Sequence, residues 1–322
     1  MKILVTGGAG YIGGFMTRGL LDRGDEIVVL DSLERGHKES LDPRVKFYQG
    51  NLLNKSFVSR VFAENSFDAV INFAGFISMG ESMQNPYIYF ENNVMGSLNL
   101  IEEMVISKTD NFIFSSSAGI YGNPITLPIP EDHPKNPENP YGESKLMVEK
   151  ILGWYEKSHN LHFAALRYFN ASGAALDGSI GENHTPESHI IPNIIKSVLD
   201  NTSFKMFGKD YKTKDGTCVR DYIHVLDLVD AHMKAIDKLK ESPKGYYYNV
   251  GTGNGYSNKE ICEMVEKVSG KKVLIEDSPR RPGDADSLIA DPTKINKELN
   301  FSPKYSDLET IVKTAWQWHS KT

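Results

Sequence analysis

A tyrosine and a lysine four residues apart, Tyr141 and Lys145, form a pair whose side chains could act together chemically. On an α-helix this spacing places both side chains on one face, one turn from each other. A phenol is a poor base near neutral pH because its ordinary pKa is about 10, but a nearby ammonium group favours the phenolate and lowers that pKa. The pair is therefore a candidate for proton transfer, although the same spacing also arises by chance on surface helices.

A glycine-rich turn near the start of the chain predicts a dinucleotide site. The short apolar strand predicted at 2–6 is followed by Gly7, Gly10 and Gly13, and then by a helical pattern of apolar residues. Glycine in such a turn lets the backbone approach a pyrophosphate closely. The N-terminus of the following helix offers its N–H groups and the positive end of its dipole to the phosphates.

An acidic residue after the second predicted strand indicates which dinucleotide is bound. The strand predicted at 26–30 is followed by Asp31, eighteen residues after Gly13. A carboxylate at this position accepts hydrogen bonds from the adenosine ribose hydroxyls and repels a 2′-phosphate, so NAD is favoured over NADP. The glycines alone are weak evidence, but strand, turn, helix, second strand and acid together are much more specific.

The elements that must position these groups alternate between strand and helix. Further strands are predicted at 45–48, 69–73, 111–114 and 162–167, with helices at 56–64, 86–107 and around Tyr141. This alternation predicts an α/β fold with a doubly wound, parallel, Rossmann-type sheet. Such sheets bind ligands beyond the carboxyl ends of their strands. Candidate functional groups fall at those ends: the glycine turn, Asp31, Asn51, residues 73–77 and Ser117.

The alternation of predicted strands and helices becomes irregular after residue 170. We expect an NAD-binding domain over residues 1–170 and a smaller, mixed α/β substrate lobe over residues 171–322, with a soft boundary and some interleaving. In the second part, short strands are predicted at 204–207, 219–223 and 246–250, and helices at 189–200, 225–240, 258–268 and from residue 307. The proline-rich segment 123–139 indicates a long loop.

Composition argues against several classes of protein. The net charge of −6 is unlike that of a nucleic-acid binder, and no apolar run is long enough for a membrane span or a signal peptide. The two cysteines, Cys218 and Cys262, suit a reducing cytoplasm rather than a disulfide framework. His184 and His189 lie close in sequence, but their spacing matches no familiar metal motif, so no metal is expected.

A series of short motifs runs in order through nearly the whole chain. They are VTGGAGYIG (5–13), DSL (31–33), NFAG (72–75), GES (80–82), NNV (92–94), SSSA (115–118), YG (121–122), NPYGESK (139–145), RYFN (167–170), VRDYIHV (219–225), NVGTG (249–253) and RRPGD (280–284). In this order they resemble the extended short-chain dehydrogenase/reductase family. The serine run, RDYIHV and RRPGD resemble those members of the family that epimerise UDP-sugars at C4.

The resemblance implies a cytoplasmic, homodimeric isomerase of galactose metabolism that interconverts UDP-glucose and UDP-galactose. The reaction would pass through a transient 4-keto sugar and use tightly bound NAD. Tyr141 is then the expected base, Lys145 its ribose-binding and pKa-lowering partner, and Ser117 a helping hydroxyl. The dimer is expected to form through the 86–107 and Tyr141 helices.

The resemblance also implies two sets of binding residues. For NAD they are Gly7, Gly10, Tyr11, Ile12, Gly13, Asp31, Ser32, Leu33, Asn51, Leu52, Phe73, Ala74, Gly75, Asn92, Ser117, Tyr141, Lys145 and Phe169. For the nucleotide sugar they are Ser117, Tyr141, Asn170, His189, Arg220, Arg281 and Asp284. Arginine suits the diphosphate. Three assignments have simpler alternatives, because the two arginines could be salt-bridged to Asp221 and Asp284, and His189 could simply begin a helix.

The sequence departs from the family pattern at a few positions. Asn51 stands where an aspartate is frequent, beside the adenine, and Ile77 stands where some members have a lysine near the nicotinamide. Leu288 falls where members differ in a residue that gates N-acetylated sugars. His224 is expected to be a packed strand residue.

Other activities remain open. An epimerase of a related substrate such as UDP-N-acetylglucosamine is the main alternative, and a nucleotide-sugar decarboxylase belongs to the same class. A 4,6-dehydratase is disfavoured because residues 118–120 lack the acidic element that follows the serine run in dehydratases. A non-catalytic dinucleotide sensor is disfavoured because such proteins typically lose the tyrosine–lysine pair.

Overall fold

The chain folds into two compact units. The computed structural model describes residues 1–281 and 284–321. The first unit contains Met1–Ile120, Pro137–Arg167 and Val229–Tyr248, and the second contains Tyr121–Asn136, Tyr168–Leu228 and the described residues from Asn249 onward. The chain therefore passes between the units at several places in addition to the one near residue 170.

The strands and helices are as follows. The strands are β1 Lys2–Thr6, β2 Glu26–Asp31, β3 Lys46–Gln49, β4 Ala69–Asn72, β5 Asn111–Ser117, β6 His162–Tyr168, β7 Asn170–Ser172, β8 Ser203–Phe207, β9 Val219–His224, β10 Tyr246–Val250, β11 Gly255–Ser257, β12 Leu274–Ser278 and β13 Ser287–Leu288. The helices are α1 Tyr11–Asp22, α2 Lys55–Ala63, α3 Met79–Gln84, α4 Pro86–Tyr89, α5 Gly96–Ser107, α6 Pro140–His159, α7 Ile190–Leu199, α8 Val225–Glu241, α9 Asn258–Ser269, α10 Thr293–Leu299 and α11 Leu308–His319. Within the described residues, no helix combines the length and the apolar character that a membrane span requires.

A seven-stranded sheet forms the centre of the first unit. Its strand order is β10-β6-β5-β4-β1-β2-β3. β1 pairs in parallel with both β2 and β4, and the β2–β3 and β4–β5 pairs are also parallel. The direction of winding reverses between β1 and β4, which in such sheets creates a ligand crevice at the carboxyl ends of these strands. The predicted doubly wound, parallel, Rossmann-type sheet is confirmed.

The central strands are apolar because helices cover both faces of the sheet. Ile3, Leu4 and Val5 of β1 are consecutive and fully buried, as is typical of a parallel strand that has no solvent face. Leu4 packs in one core cluster with Val70 of β4 and Phe112 of β5. This packing fixes the strand ends from which the candidate site residues project.

The segment predicted as one helix over 86–107 is divided in the structure. α4 leads into a π-helical turn at Phe90–Met95, and α5 follows at Gly96. A Cβ at Gly96 would lie 3.3 Å from the Leu52 side chain, so glycine allows the helix to pass close to the loop after β3. Single π turns are frequent at functional sites, and this one carries Asn92 and Asn93.

The second unit is a mixed α/β structure, as predicted. β9 is paired with β11, β13 and β7, and β8 pairs with β12. Helices α7, α9 and α11 share a core that includes Ile194, Ile261 and Ile311. Strands β7, β11 and β13 were not predicted from the sequence, because two or three residues are too few to show a periodic pattern.

A buried ion pair holds α6 against the sheet of the first unit. Glu149 accepts hydrogen bonds from Arg167 Nε at 2.9 Å and Nη2 at 2.8 Å, and from Ser116 Oγ at 2.6 Å. The Arg167 and Glu149 side chains are only 2% and 3% exposed. Because Glu149 follows Tyr141 and Lys145 at intervals of four residues, all three project from one face of α6. The ion pair therefore sets the direction of the candidate catalytic side chains.

Replacing Glu149 tests this role. We expect Glu149→Gln to lower the free energy of unfolding by about 3–5 kcal/mol, because the buried Arg167 guanidinium loses its carboxylate. Urea denaturation followed by circular dichroism measures the change. The double variant Glu149→Met, Arg167→Met removes both charges and should recover most of the loss. The exposed Glu263→Gln serves as the control, and wild-type stability of Glu149→Gln would contradict the assignment.

Candidate active site and cofactor site

The loop after β1 brings backbone segments closer together than any side chain would allow. Gly7 has φ +73°, and a Cβ at this position would lie 2.6 Å from the backbone nitrogen of Ala74. A Cβ on Gly13 would lie 2.2 Å from the carbonyl oxygen of Gly7. Gly10 is the N-cap of α1, so the helix starts at Tyr11 and Ile12 follows in its first turn. This loop has the form of a phosphate cradle at a helix N-terminus.

Asp31 shapes this cradle as well as offering an acceptor to a ligand. Its buried carboxylate accepts hydrogen bonds from Ala9 N at 2.9 Å and from Leu33 N at 2.8 Å, one on each oxygen. Each carboxylate oxygen has a second lone-pair direction, so the group can also accept a ribose hydroxyl. Ser32 caps the following turn by accepting from Glu34 N at 3.3 Å. The ligand role of Asp31 is predictable from the sequence, whereas its role in holding the loop depends on the fold.

Asn51 has a local reason to be an amide rather than a carboxylate. Its Nδ2 donates to Glu34 Oε1 at 3.1 Å, and its Oδ1 accepts from Leu53 N at 2.8 Å. A carboxylate at position 51 would repel Glu34, whereas the amide binds it. Leu52 is buried, and its carbonyl accepts from Asn99 Nδ2 at 2.9 Å. The loop after β3 is therefore fixed from both sides.

The loop after β4 is tied to α6 by a residue to which the sequence analysis gave no role. Asn93 accepts from Phe76 N at 2.8 Å and donates to Phe76 O and to Ser144 Oγ, both at 3.0 Å. A Cβ on Gly75 would lie 2.8 Å from Asn93 Oδ1. The hydrogen bonds couple the end of β4 to the helix that carries Tyr141. The pairing could not be read from spacing, because it depends on the π-helical turn.

Other predicted cofactor residues also lie along this edge of the first unit. Phe73 donates its backbone N–H to Thr6 O at 2.9 Å and is followed by Ala74. Asn92 Nδ2 donates to Ile88 O at 2.9 Å. The side chain of Ile77 is 42% exposed. The glycine cradle that a Cβ would fill, the start of α1 and the buried Asp31 carboxylate together fit a dinucleotide with free ribose hydroxyls, as in NAD.

Tyr141 lies in the first turn of α6, beside Ser117. The helix starts with Asn139 as N-cap, whose Oδ1 accepts from Gly142 N at 2.9 Å. Burial raises the pKa of the Tyr141 phenol, and a hydrogen bond with Ser117 lowers it only in part. Ser117, at the end of β5, also accepts from Gly119 N at 3.0 Å. The structure thus brings together the predicted base and the predicted helping hydroxyl.

The proximity of Lys145 does not give Tyr141 the net lowered pKa that was expected from the sequence. Its Nζ donates to Ser115 O at 2.7 Å and lies 5.8 Å from the centre of the Tyr141 ring and 5.1 Å from that of Phe114. The pKa of Tyr141 is raised, because burial outweighs the factors that favour the phenolate. Burial also lowers the pKa of Lys145, to about 8. The spacing predicted the proximity of the two residues, but it carried no information about their burial.

Three predicted residues of the second unit, Asn170, Arg220 and Asp284, lie at or beside β9. Arg220 donates from Nη1 to the carbonyls of Val219 at 2.8 Å and Ala285 at 2.9 Å, and Nη2 lies 3.5 Å from Asp284 Oδ1. Asn170 Nδ2 donates to Asp221 O at 2.9 Å. Arg220 is therefore paired with Asp284. A salt bridge to a nearby aspartate was the simpler alternative to a substrate contact for this residue.

Within the described residues, Asp221 forms no ion pair with an arginine. It is fully buried, and its carboxylate accepts hydrogen bonds from Thr252 N, Thr252 Oγ1, Gly253 N and Ala290 N. Burial raises the pKa of Asp221, although these hydrogen bonds oppose the rise. Its function in the structure is to hold the loop after β10.

The remaining predicted residues lie elsewhere in the second unit. The Arg281 guanidinium lies 4.0 Å from the centre of the Phe207 ring, while Pro282 and Gly283 of the same motif lie outside the described residues. Phe169 donates its N–H to Val250 O at 3.3 Å. His189 is the N-cap of α7. His224 is fully buried and hydrogen-bonded to Thr314 Oγ1 at 3.1 Å, as expected for a packed residue.

The fold and the first-unit site define a dinucleotide-binding enzyme with a tyrosine–lysine–serine centre. Residues 3–251 match the family described as the NAD dependent epimerase/dehydratase family. The chain is 47% identical over 320 residues to the UDP-glucose 4-epimerase of Lactobacillus helveticus, covering 99% of this chain and 97% of that protein. The chain belongs to the NAD-dependent epimerase/dehydratase family.

Solved structures agree with this family assignment. The UDP-glucose 4-epimerase from Brucella ovis in complex with NAD is similar with a TM-score of 0.95 and 41% identity, over 98% of this chain and 97% of that one. The UDP-Glc/GlcNAc 4-epimerase from Campylobacter jejuni is similar with a TM-score of 0.87 and 41% identity, over 100% and 99% of the two chains.

The burial of Lys145 predicts a pH-dependent stability. Its pKa is about 8 in the folded chain instead of 10.5, so between these pH values the unfolded chain holds more protons and stability from this group rises with pH. Below pH 8 Lys145 is charged in the folded chain, so the full free-energy cost of burying its ammonium group opposes folding. The stability advantage of Lys145→Met over wild type should therefore shrink by about 3 kcal/mol between pH 7.5 and 10.5.

Urea denaturation of both proteins across this pH range measures the difference. The exposed Lys150→Met, on the same helix, controls for the loss of a lysine. A constant difference for Lys145→Met would show that the Lys145 pKa is not lowered in the fold.

Proposed function

We propose that the protein interconverts UDP-glucose and UDP-galactose by inverting C4, with tightly bound NAD and a transient 4-keto sugar. The observation that carries this proposal is the buried Tyr141 hydroxyl, hydrogen-bonded to Ser117 and backed by Lys145, in a chain of the NAD-dependent epimerase/dehydratase family. The relatives named as UDP-glucose 4-epimerases support the choice of substrate. UDP-sugars and NAD are soluble metabolites, and we place the reaction in the cytoplasm.

The residues of the first unit supply acid–base chemistry and positioning. Tyr141 removes the proton from the C4 hydroxyl and later returns it, and Ser117 shares that hydrogen bond. Bound NAD supplies the oxidation and re-reduction at C4 and, in its oxidised form, a positive charge that favours the phenolate. Lys145, held by Ser115 O, adds a second positive charge and is placed to bind a ribose hydroxyl. Because C4 is oxidised and then reduced, there is no net redox change.

The sugar must be held while its ring presents first one face and then the other. We assign this to Arg220, Arg281, Asn170, His189 and Asp284, which would bind the nucleotide and diphosphate and leave the hexose free to turn. Arginine can donate two parallel hydrogen bonds to a phosphate. A diphosphate can replace the long contact of 3.5 Å between Arg220 and Asp284 without disturbing the backbone bonds of Arg220.

The phenol hydroxyl is tested by Tyr141→Phe. We expect kcat for conversion of UDP-galactose to UDP-glucose to fall by about 10²–10⁴-fold, because the general base is lost. The NAD content of the purified protein and its melting temperature should stay close to wild type, since the ring still packs against Tyr89 at 6.5 Å. Product formation is followed by a coupled assay for UDP-glucose.

Tyr155→Phe is the matched control, because this tyrosine lies on the same helix and bonds Glu102 instead of Ser117. It should retain wild-type turnover. Near-normal turnover of Tyr141→Phe would overturn the assignment of the base. Bound NAD in a wild-type protein that turns over no UDP-sugar would instead indicate a dinucleotide sensor.

The second candidate function is epimerisation of N-acetylated UDP-sugars. It is favoured by the similarity to the Campylobacter jejuni enzyme, whose name includes both UDP-Glc and UDP-GlcNAc. Leu288 of β13 is in register with Arg220 of β9, so it lies beside a proposed substrate residue. The ratio of kcat/KM values for UDP-galactose and UDP-N-acetylgalactosamine decides between the two, while loss of water from the sugar would reveal a dehydratase.

We also propose that the protein is a homodimer formed through α5 and α6. Met147 and Trp154 of α6 are 36% and 68% exposed and stand seven residues apart, on one face of the helix. Ile106 of α5 is 70% exposed, and Tyr155 of α6 bonds Glu102 of α5, so the two helices are neighbours. An exposed apolar surface of this kind is typical of an interface.

Charge on this face should separate the subunits. We expect the double variant Met147→Glu, Trp154→Glu to be monomeric in size-exclusion chromatography with light scattering, because a symmetric interface would bring like charges together. Leu176→Glu, at an apolar side chain that is 51% exposed in the second unit, should leave the mass of the wild-type dimer unchanged. A monomeric wild-type protein would refute the proposal.

A further inference from the structure

Four potential metal ligands meet in the loop that precedes α7. They are Glu182, His184, Glu187 and His189, and one nitrogen or oxygen atom of each lies within 4.8 Å of the corresponding atoms of the others. All four come from one segment of eight residues in the second unit. The proposed epimerase chemistry gives no role to the first three.

The distances between these atoms suit a single small cation. Bonds of about 2.0–2.1 Å in a tetrahedral site place neighbouring ligand atoms about 3.3 Å apart. Here His184 Nδ1 lies 3.0 Å from Glu182 Oε1 and 3.7 Å from Glu187 Oε1, and His189 Nδ1 lies 3.9 Å from Glu187 Oε1. His189 Nδ1 also contacts Glu182 Oε1 directly. Small side-chain movements would bring all four atoms to coordination distance.

Burial adds a second, independent indication. The side chains of Glu182 and Glu187 are each only 4% exposed. Glu187 Oε2 is buried and has no hydrogen-bond partner in the described part of the chain. The other oxygen, Oε1, accepts from Ser188 N at 2.8 Å and from His189 N at 2.9 Å, so Oε2 is the atom left for a cation. His189 is 42% exposed, so the cluster is open to solvent on one side and an ion can enter.

We propose that these four side chains bind one divalent transition-metal ion of the Zn²⁺ type. Two imidazoles and two carboxylates form a mixed nitrogen–oxygen set that suits Zn²⁺, whereas Mg²⁺ and Ca²⁺ prefer oxygen ligands alone. Four protein ligands fill a tetrahedral shell, so the ion is structural. It fixes the loop from Glu182 to His189 at the start of α7.

This site is compatible with the proposed substrate contact of His189. Nδ1 of His189 faces the cluster, and a ring coordinated through Nδ1 carries its proton on Nε2. The metal would then hold the ring in one orientation as a hydrogen-bond donor. The metal proposal does not depend on this contact, since its tests measure binding and stability rather than turnover.

The wild-type protein provides the first test. The full chain with its NAD is treated with a chelator, dialysed against Zn²⁺ and analysed by mass spectrometry of the metal. We expect one equivalent of Zn²⁺ per chain and a rise in melting temperature of about 5 °C at one hundred times the Kd. Co²⁺ should give the visible absorption of a tetrahedral site.

Variants then locate the ion. Glu187→Gln and His184→Gln should each lose the bound equivalent and the thermal shift, while Asp177→Asn, a charge-matched change in the preceding loop, should keep both. A wild-type protein that binds no Zn²⁺ and shows no tetrahedral Co²⁺ spectrum would overturn the proposal and leave the cluster as a network of ion pairs. Binding that persists in both ligand variants would place the ion elsewhere and overturn it equally, and the wild-type measurements hold even if a variant fails to fold.

Discussion

The geometry of the candidate centre depends on one buried ion pair under the helix that carries it. Glu149 binds Arg167 of β6 and Ser116 of β5, so α6 is fixed in rotation and in height above two strands. Ser116 is the neighbour of Ser117, and Glu149 is one turn beyond Lys145 on the same helical face. One interaction therefore sets both partners of the Tyr141–Ser117 hydrogen bond. A site built on a helix and a strand in this way is positioned more exactly than one built on loops.

Burial of this centre has opposite effects on its two titratable groups. It raises the pKa of Tyr141 and lowers that of Lys145, because in each case it disfavours the charged form. Burial therefore favours the neutral phenol, which is a poor base. Additional positive charge is needed to form the phenolate. In the function that we propose, Lys145 and the oxidised form of NAD would supply this charge, so the base would be active in the state of the enzyme that oxidises C4.

The sequence predicted the long, regular elements of the first unit well. β1, the glycine turn, α1 and β2 follow directly from an apolar run, three glycines and a helical period, and the structure has them within a residue or two of the predicted bounds. The short strands around β9 carry too few residues to show a pattern. The π-helical turn that directs Asn93 toward Phe76 and Ser144 likewise cannot be predicted from the spacing of apolar residues in a helix.

Properties that arise from burial or from loop geometry could not be predicted from the sequence. The sequence led us to expect a lowered pKa for Tyr141, whereas the pKa is raised. The four-residue spacing of Tyr141 and Lys145 indicates that the side chains are close, but not that they are buried. The cluster at 182–189 was missed because its ligands mix glutamate with histidine at intervals of two, three and two residues, which is no familiar motif. Its members converge only because the loop folds back on itself before α7.

In the second unit, Arg220 can exchange its partner Asp284 while the loops around it stay in place. Buried carboxylates hold the loops there through backbone N–H groups: Asp221 binds Gly253, and Asp227 binds Lys304 and Tyr305. Arg220 contacts the backbone only through Nη1, and its acidic contact through Nη2 is Asp284, whose side chain is 30% exposed. A partly exposed pair at 3.5 Å contributes little to stability. In the function that we propose, a phosphate that accepts two short, charged hydrogen bonds from Arg220 would replace Asp284 and leave the backbone hydrogen bonds of these loops in place.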